Sequence, residues 1–101
     1  MPELMDVRID GEATWVTGEV ELSTADAFAE AVAAAIRAAR AVDLAGVTFM
    51  DSSGLKALLA AAGASNGTPL VLRNPSLAVR RLLEITIPDG APGLEIRSGE
   101  D

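Results

Sequence analysis

Strand-like and helix-like segments alternate along this sequence after an opening hairpin, and that alternation restricts the fold more than any other feature. Val7-Arg8-Ile9-Asp10 alternates apolar and polar residues, as a strand with one buried face does. Gly11-Glu12 reads as a turn, and Ala13 to Thr17, with two β-branched threonines, as a second strand. Ser23 and Thr24 are candidate N-caps and Asp26 stands in the following turn, where a helix dipole favours an acid. Phe28, Val32, Ala35, Ile36 and Ala39 then share one face of a helix expected over about 24–40, with Arg37 and Arg40 near its end. Ala41 to Ala45 reads as a third strand and Gly46 to Met50 as a loop. A second helix begins around Asp51-Ser52-Ser53-Gly54, presents Leu55, Leu58, Leu59 and Ala62, and is ended by Gly63 and Asn66-Gly67. Leu70-Val71-Leu72 reads as a central strand buried on both faces. Asn74-Pro75-Ser76 opens a third helix, with Pro75 or Ser76 at its first positions. Leu77, Val79, Leu82 and Leu83 point inward there and Arg80-Arg81 outward. After a breaker-rich loop, Leu94 to Arg97 forms an edge strand, and 98–101 a frayed tail. The expected order is β-β-α-β-α-β-α-β, an α/β fold with a mixed sheet backed by helices.

At 101 residues there is room for one core, so residues 1–101 are expected to form a single domain. The absence of cysteine and histidine excludes disulfides, thiol nucleophiles and a Ser-His-Asp triad. There is no glycine-rich phosphate loop with its lysine, no GxSxG and no acid cluster with metal-loop spacing. Catalytic residues, metal ligands and a cofactor are therefore not expected. No apolar run reaches the roughly 18–20 residues of a membrane span, and the acidic opening Met1 to Asp6 is unlike a secretory signal, so the expected compartment is the cytoplasm. The net charge of −7 argues against nucleic acid. All of it sits on residues 1–30, which hold eight acids and one base, whereas residues 31–101 hold seven of each. Such a surface either only keeps the protein soluble or offers an acidic face to a basic partner.

The segment Val47 to Leu55 stands apart. Asp51, Ser52 and Ser53 can each cap a helix, and one cap, worth about 1 kcal/mol, suffices. Gly54 in a first helical turn costs up to about 1 kcal/mol relative to Ala, in a chain that uses alanine freely, and it permits close approach by another backbone or a bulky partner, so the site is expected to be exposed, small and accessible. Capping is the simpler reading of the segment. An accessible, modifiable hydroxyl is the other.

Asp51-Ser52-Ser53-Gly54-Leu55, after an apolar strand and loop, resembles the signature of STAS domains of the anti-sigma factor antagonist type. Gly18-Glu19-Val20-Glu21 with Thr24-Ala25, the run Val42 to Leu55 that ends in this signature, and Asn74-Pro75-Ser76 with Val79 to Leu83 are similar to three blocks of that family, in order along nearly the whole chain. The resemblance implies a non-enzymatic switch protein with a mixed sheet backed by helices. In that family the unmodified antagonist binds an anti-sigma factor that is also a serine kinase, and so releases the sigma factor. The kinase then modifies the serine directly after the Asp, which maps to Ser52, and a serine phosphatase resets it. Glu19, Glu21, Thr24, Met50, Asp51, Ser53 and Gly54 are the implied partner-binding residues, with Ser53 holding the helix start. The family often has Asp at the position of Glu21, and Lys56, the one lysine in the chain, is assigned no role by the resemblance. Many members also carry a final helix for which the residues up to Asp101 show no pattern, so a less covered core is expected. A STAS protein that works without phosphorylation, as a scaffold or a transport accessory subunit, is the alternative, and a small-ligand sensor a third reading.

Overall fold

A computed structural model describes residues 4–98. Five strands and three helices follow the expected order: β1 Met5–Asp10, β2 Ala13–Val20, α1 Ala25–Arg37, β3 Ala41–Met50, α2 Ser52–Ala64, β4 Leu70–Arg73, α3 Leu77–Thr86 and β5 Leu94–Arg97. The strands form one mixed sheet in the order β1-β2-β3-β4-β5. β1 is antiparallel to β2, and β2 to β5 run parallel. The tail beyond Ser98, expected to be frayed, lies outside the described residues.

The core is a single cluster. Phe28, Val32 and Ala35 from α1 and Leu55, Leu58 and Ala62 from α2 meet Val16, Val20, Val42, Leu44, Val47, Leu70 and Leu72 from the sheet. The 3.6-residue spacing of the helical residues and the two-residue spacing of Val42/Leu44 and Leu70/Leu72 put these side chains on facing surfaces. Val79 and Leu83 bring α3 into the same cluster, beside β3, where the Ser76 N–H donates to Leu44 O.

The other face of the sheet is polar. One row of directly paired residues, Arg8, Trp15, Asp43, Arg73 and Arg97, crosses all five strands. Asp43 is 1 % exposed, yet its carboxylate accepts from Arg73 Nε at 3.0 Å, Asn74 Nδ2 at 3.0 Å and Ala45 N at 3.0 Å. Three donors compensate the burial of that charge. The Arg73 and Arg8 guanidinium carbons lie 5.0 and 5.9 Å from the Trp15 ring centroid, within cation–π range.

Several boundaries differ from expectation. Gly46 to Met50 is strand, not loop: it continues β3 along Thr17 to Val20 of β2. Two shifts of register there interrupt the period-two pattern, since β3 spends extra residues against β2. β2 likewise runs on to Val20 through Gly18, whose φ of +95° and close approach to the Leu4 carbonyl need a residue without Cβ. Helix α1 stops at Arg37, and Ala39 turns into the left-handed region at φ 56°. Arg40 therefore lies outside the helix, and its Nε donates to Gly11 O at 3.2 Å. Gly63 lies within α2 rather than ending it. β4 is flanked on both sides but buried on one face only, because the second face is the polar one. Helix α3 starts at Leu77 with Ser76 as its cap, through Val79 N to Ser76 Oγ at 3.3 Å, and Leu77 is exposed rather than inward.

Candidate functional site

The segment singled out in the sequence lies at the carboxyl end of β3, where that strand hands over to α2. Asp51 is extended, with φ −108° and ψ −170°, and its carboxylate accepts from Ser53 N at 2.9 Å and Gly54 N at 3.4 Å. Asp51 is thus the N-cap. Ser53, expected to hold the helix start, instead lies in the first turn as a half-buried recipient of that cap. Ser52 is the first helical residue and is exposed, and among the described residues its hydroxyl has no hydrogen-bond partner. One turn on, Lys56 is exposed at i+4 from Ser52, on the same side of the helix.

Residues of the β2–α1 turn stand beside it. Asp51 N donates to Val20 O at 3.2 Å, and Glu19 is the strand partner of Phe49. Thr24 does not cap α1 by its side chain. Its hydroxyl instead closes the turn: Oγ1 accepts from Glu21 N at 3.0 Å and donates to Glu19 O at 3.0 Å. The Glu21 carboxylate accepts from Ser23 N, so the longer acid at this position still folds back on its own turn. Asp51, Ser52, Glu19, Glu21 and Thr24 are brought together in this way. Asp26 and Glu30 lie on α1 instead, one turn apart and exposed.

Two of the expected contact residues are in the core. Met50 is 6 % exposed and Gly54 is buried. A Cβ on Gly54 would stand 2.7 Å from Val20 Cγ1 and 2.8 Å from Met50 Cγ. The close approach that this glycine permits is therefore to the protein's own side chains, and it seats the start of α2 on β2 and β3. Two apolar residues not singled out in the sequence are exposed alongside: Phe49 at 48 % and Leu22 at 80 %. Phe49 is one of only three aromatic residues in the chain, and that scarcity is the one sequence signal that points to it. Phe49 and Leu22 add an apolar component to a surface otherwise formed by Glu19, Glu21, Asp51 and Ser52.

The family model described as MlaB, STAS domain matches residues 5–92. The chain belongs to the STAS domain family. Its fold is shared with solved structures. An anti-sigma factor antagonist from Mycobacterium paratuberculosis is 27 % identical, with a TM-score of 0.68 over 90 % of this chain and 83 % of that one. A Thermotoga maritima protein provisionally called an anti-sigma factor antagonist is 20 % identical, with a TM-score of 0.65 over 92 % and 85 %. The anti-sigma factor antagonist SpoIIAA in its unphosphorylated form is 19 % identical, with a TM-score of 0.55 over 89 % and 86 %. No curated protein matches the chain. Among the described residues, this STAS domain has no group of three acids that could hold a metal ion and no helix long and apolar enough to cross a membrane.

Proposed function

We propose that this STAS domain is an anti-sigma factor antagonist controlled by phosphorylation of Ser52. The observation that carries the reading is the placement of Ser52: an exposed hydroxyl at the first position of α2, directly after a cap that is already satisfied by Asp51. A helix that needs no further cap leaves the Ser52 oxygen free for chemistry. The solved anti-sigma factor antagonists that share its fold support the partner class. The unmodified form binds an anti-sigma factor across Glu19, Glu21, Leu22, Phe49 and Ser52 and thereby releases the sigma factor. The anti-sigma factor, acting as a serine kinase, transfers the γ-phosphoryl group of ATP to Ser52 Oγ. The bond to the ADP leaving group breaks, and the serine proton passes to the kinase. A serine phosphatase restores the hydroxyl.

The test is the site of modification. Incubation with the cognate kinase and ATP, followed by mass spectrometry, is expected to place one phosphate on Ser52. Phosphate on Ser53 alone, or none with an active kinase, contradicts the reading. The alternative reading is a STAS protein that acts without phosphorylation, as a scaffold or a transport accessory subunit, and the description of the matching family model makes no reference to a sigma factor. Genes of a transport system beside this one favour that role, and a neighbouring ATPase of the histidine-kinase type favours the switch.

A further inference from the structure

A cleft of about 370 Å³ opens on the polar side of the sheet, at the end where β3 begins. It is lined by Glu12, Arg40, Pro69, Val71, Arg73 and Arg97, among others. Three of the eight basic residues of a chain with net charge −7 thus converge on one concavity. Ser52 is at the other end of β3, ten residues and about 30 Å along the strand.

Each of the three guanidinium groups is anchored through Nε. Arg40 Nε donates to the Gly11 carbonyl at 3.2 Å, Arg73 Nε to Asp43 at 3.0 Å and Arg97 Nε to Glu95 at 2.6 Å. Arg97 also commits one terminal nitrogen to the same Glu95 oxygen, at 2.6 Å. Arg73 is further fixed by stacking on Trp15. An arginine held only by Nε, as Arg40 and Arg73 are, keeps its terminal N–H groups in a fixed fork that can grip a phosphate or carboxylate with two parallel hydrogen bonds, whereas Arg97 has one terminal nitrogen left uncommitted. Holding it in place beforehand reduces the ordering cost of binding. Asp43 and Glu95 offset the charge of Arg73 and Arg97, and Glu12 borders the cleft. Arg40 is anchored on a neutral carbonyl, so its charge is not offset by its anchor. The cleft volume is at the lower end of the roughly 300–1,000 Å³ of ligand pockets, which suits a small molecule.

We propose that this cleft binds a small phosphate-bearing anion, gripped by Arg40, Arg73 and Arg97, and that the site is separate from the Ser52 surface. The ligand chemistry is a tetrahedral oxyanion, either free phosphate or a small phosphomonoester. Trp15 is the one tryptophan and stacks on Arg73, so its emission reports on the cleft.

The experiment titrates the protein with inorganic phosphate and, separately, with glycerol 3-phosphate, at constant ionic strength set with chloride. Trp15 fluorescence and the heat of binding are both followed. Saturable binding in both signals is expected. Arg40→Gln and Arg97→Gln are each expected to weaken it by about tenfold or more, the effect of losing one charge-assisted hydrogen bond. Arg80→Gln, which removes the same charge from the exposed side of α3, leaves it unchanged. Equal affinity for the two probes identifies free phosphate as sufficient, and tighter binding of glycerol 3-phosphate identifies an ester. A response no different from that to chloride, or one that Arg80→Gln weakens as much as Arg40→Gln, overturns the proposal.

Discussion

Gly54 sets two effects against each other. Replacing glycine by alanine inside a helix ordinarily gains up to about 1 kcal/mol. Here the new methyl would press on Val20 and Met50, and overpacking a filled core costs about 1–3 kcal/mol. Val20 is stiff at Cβ and can yield little. Gly54→Ala is therefore expected to lower stability by about 1 kcal/mol net in a denaturant melt, and a stabilised variant contradicts this packing. At Asp43 the charge itself is at stake. Asp43→Ala leaves Arg73 without its acceptor and strands two further donors, and removing one partner of a buried pair costs about 3–5 kcal/mol. The side chain of Arg73 is 26 % exposed and can turn to water, so a loss at about the lower end, 3 kcal/mol, is expected. A thermal melt within a degree or two of the wild type contradicts it. The role of Asp43 was not legible in the sequence: nothing local to it announces partners 30 and 31 residues away. Gly54 was legible as an anomaly but not in its cause, because the side chains that crowd it come from two other elements.

Every element was legible where its own period was intact. Phe28, Val32 and Ala35, then Leu55, Leu58 and Ala62, repeat at helical spacing and are the buried faces of α1 and α2. The second half of β3 was not legible, since its register shifts break the alternation and Gly46 reads as a stop. The pairing partner, not the local sequence, makes that segment a strand. The start of α2 carries the proposed switch residue. Asp51→Ala removes a carboxylate that takes two amides, and loss of such a cap costs about 1 kcal/mol, with a range of about 0.5–2. A corresponding drop in melting temperature checks it, and Asp51→Asn, which keeps an accepting oxygen, is expected to restore most of the loss. Phosphate on Ser52 would add about −1.5 to −2 charges at the same helix end. The dipole there favours an anion, but Asp51 already occupies two of the free N–H groups and repels a second one. Lys56, one turn on, offsets part of that repulsion. The two tendencies oppose each other, so the helix is expected to stay folded with little change in stability.

At the scale of the whole molecule, the acidic first third now has a place. Glu19 and Glu21 flank Val20, whose carbonyl holds Asp51, so part of the charge borders Ser52, while Asp26 and Glu30 extend along α1. If this face meets a basic partner, its effect is mainly on association, screened beyond about 8–10 Å at ordinary salt. Stopped-flow association is expected to slow as ionic strength rises, and to lose part of that dependence in Glu21→Ala. A rate independent of salt returns these acids to a solubilising role. The proposed switch then acts on binding rather than on folding. A phosphate at Ser52 carries a charge into an interface that fitted a hydroxyl, next to Asp51. A buried charge left unpaired costs about 3–5 kcal/mol, which is roughly a hundred- to several-thousand-fold in affinity. The most direct measurement is the affinity of wild type, Ser52→Ala and Ser52→Asp for the anti-sigma factor, each paired with a thermal melt. Ser52→Ala is expected to bind like the unmodified protein even in the presence of kinase and ATP. Ser52→Asp is expected to melt at nearly the wild-type temperature and to bind far more weakly. Ser52→Asp binding as tightly as Ser52→Ala contradicts the switch, and an unfolded Ser52→Asp contradicts its electrostatic origin at the interface.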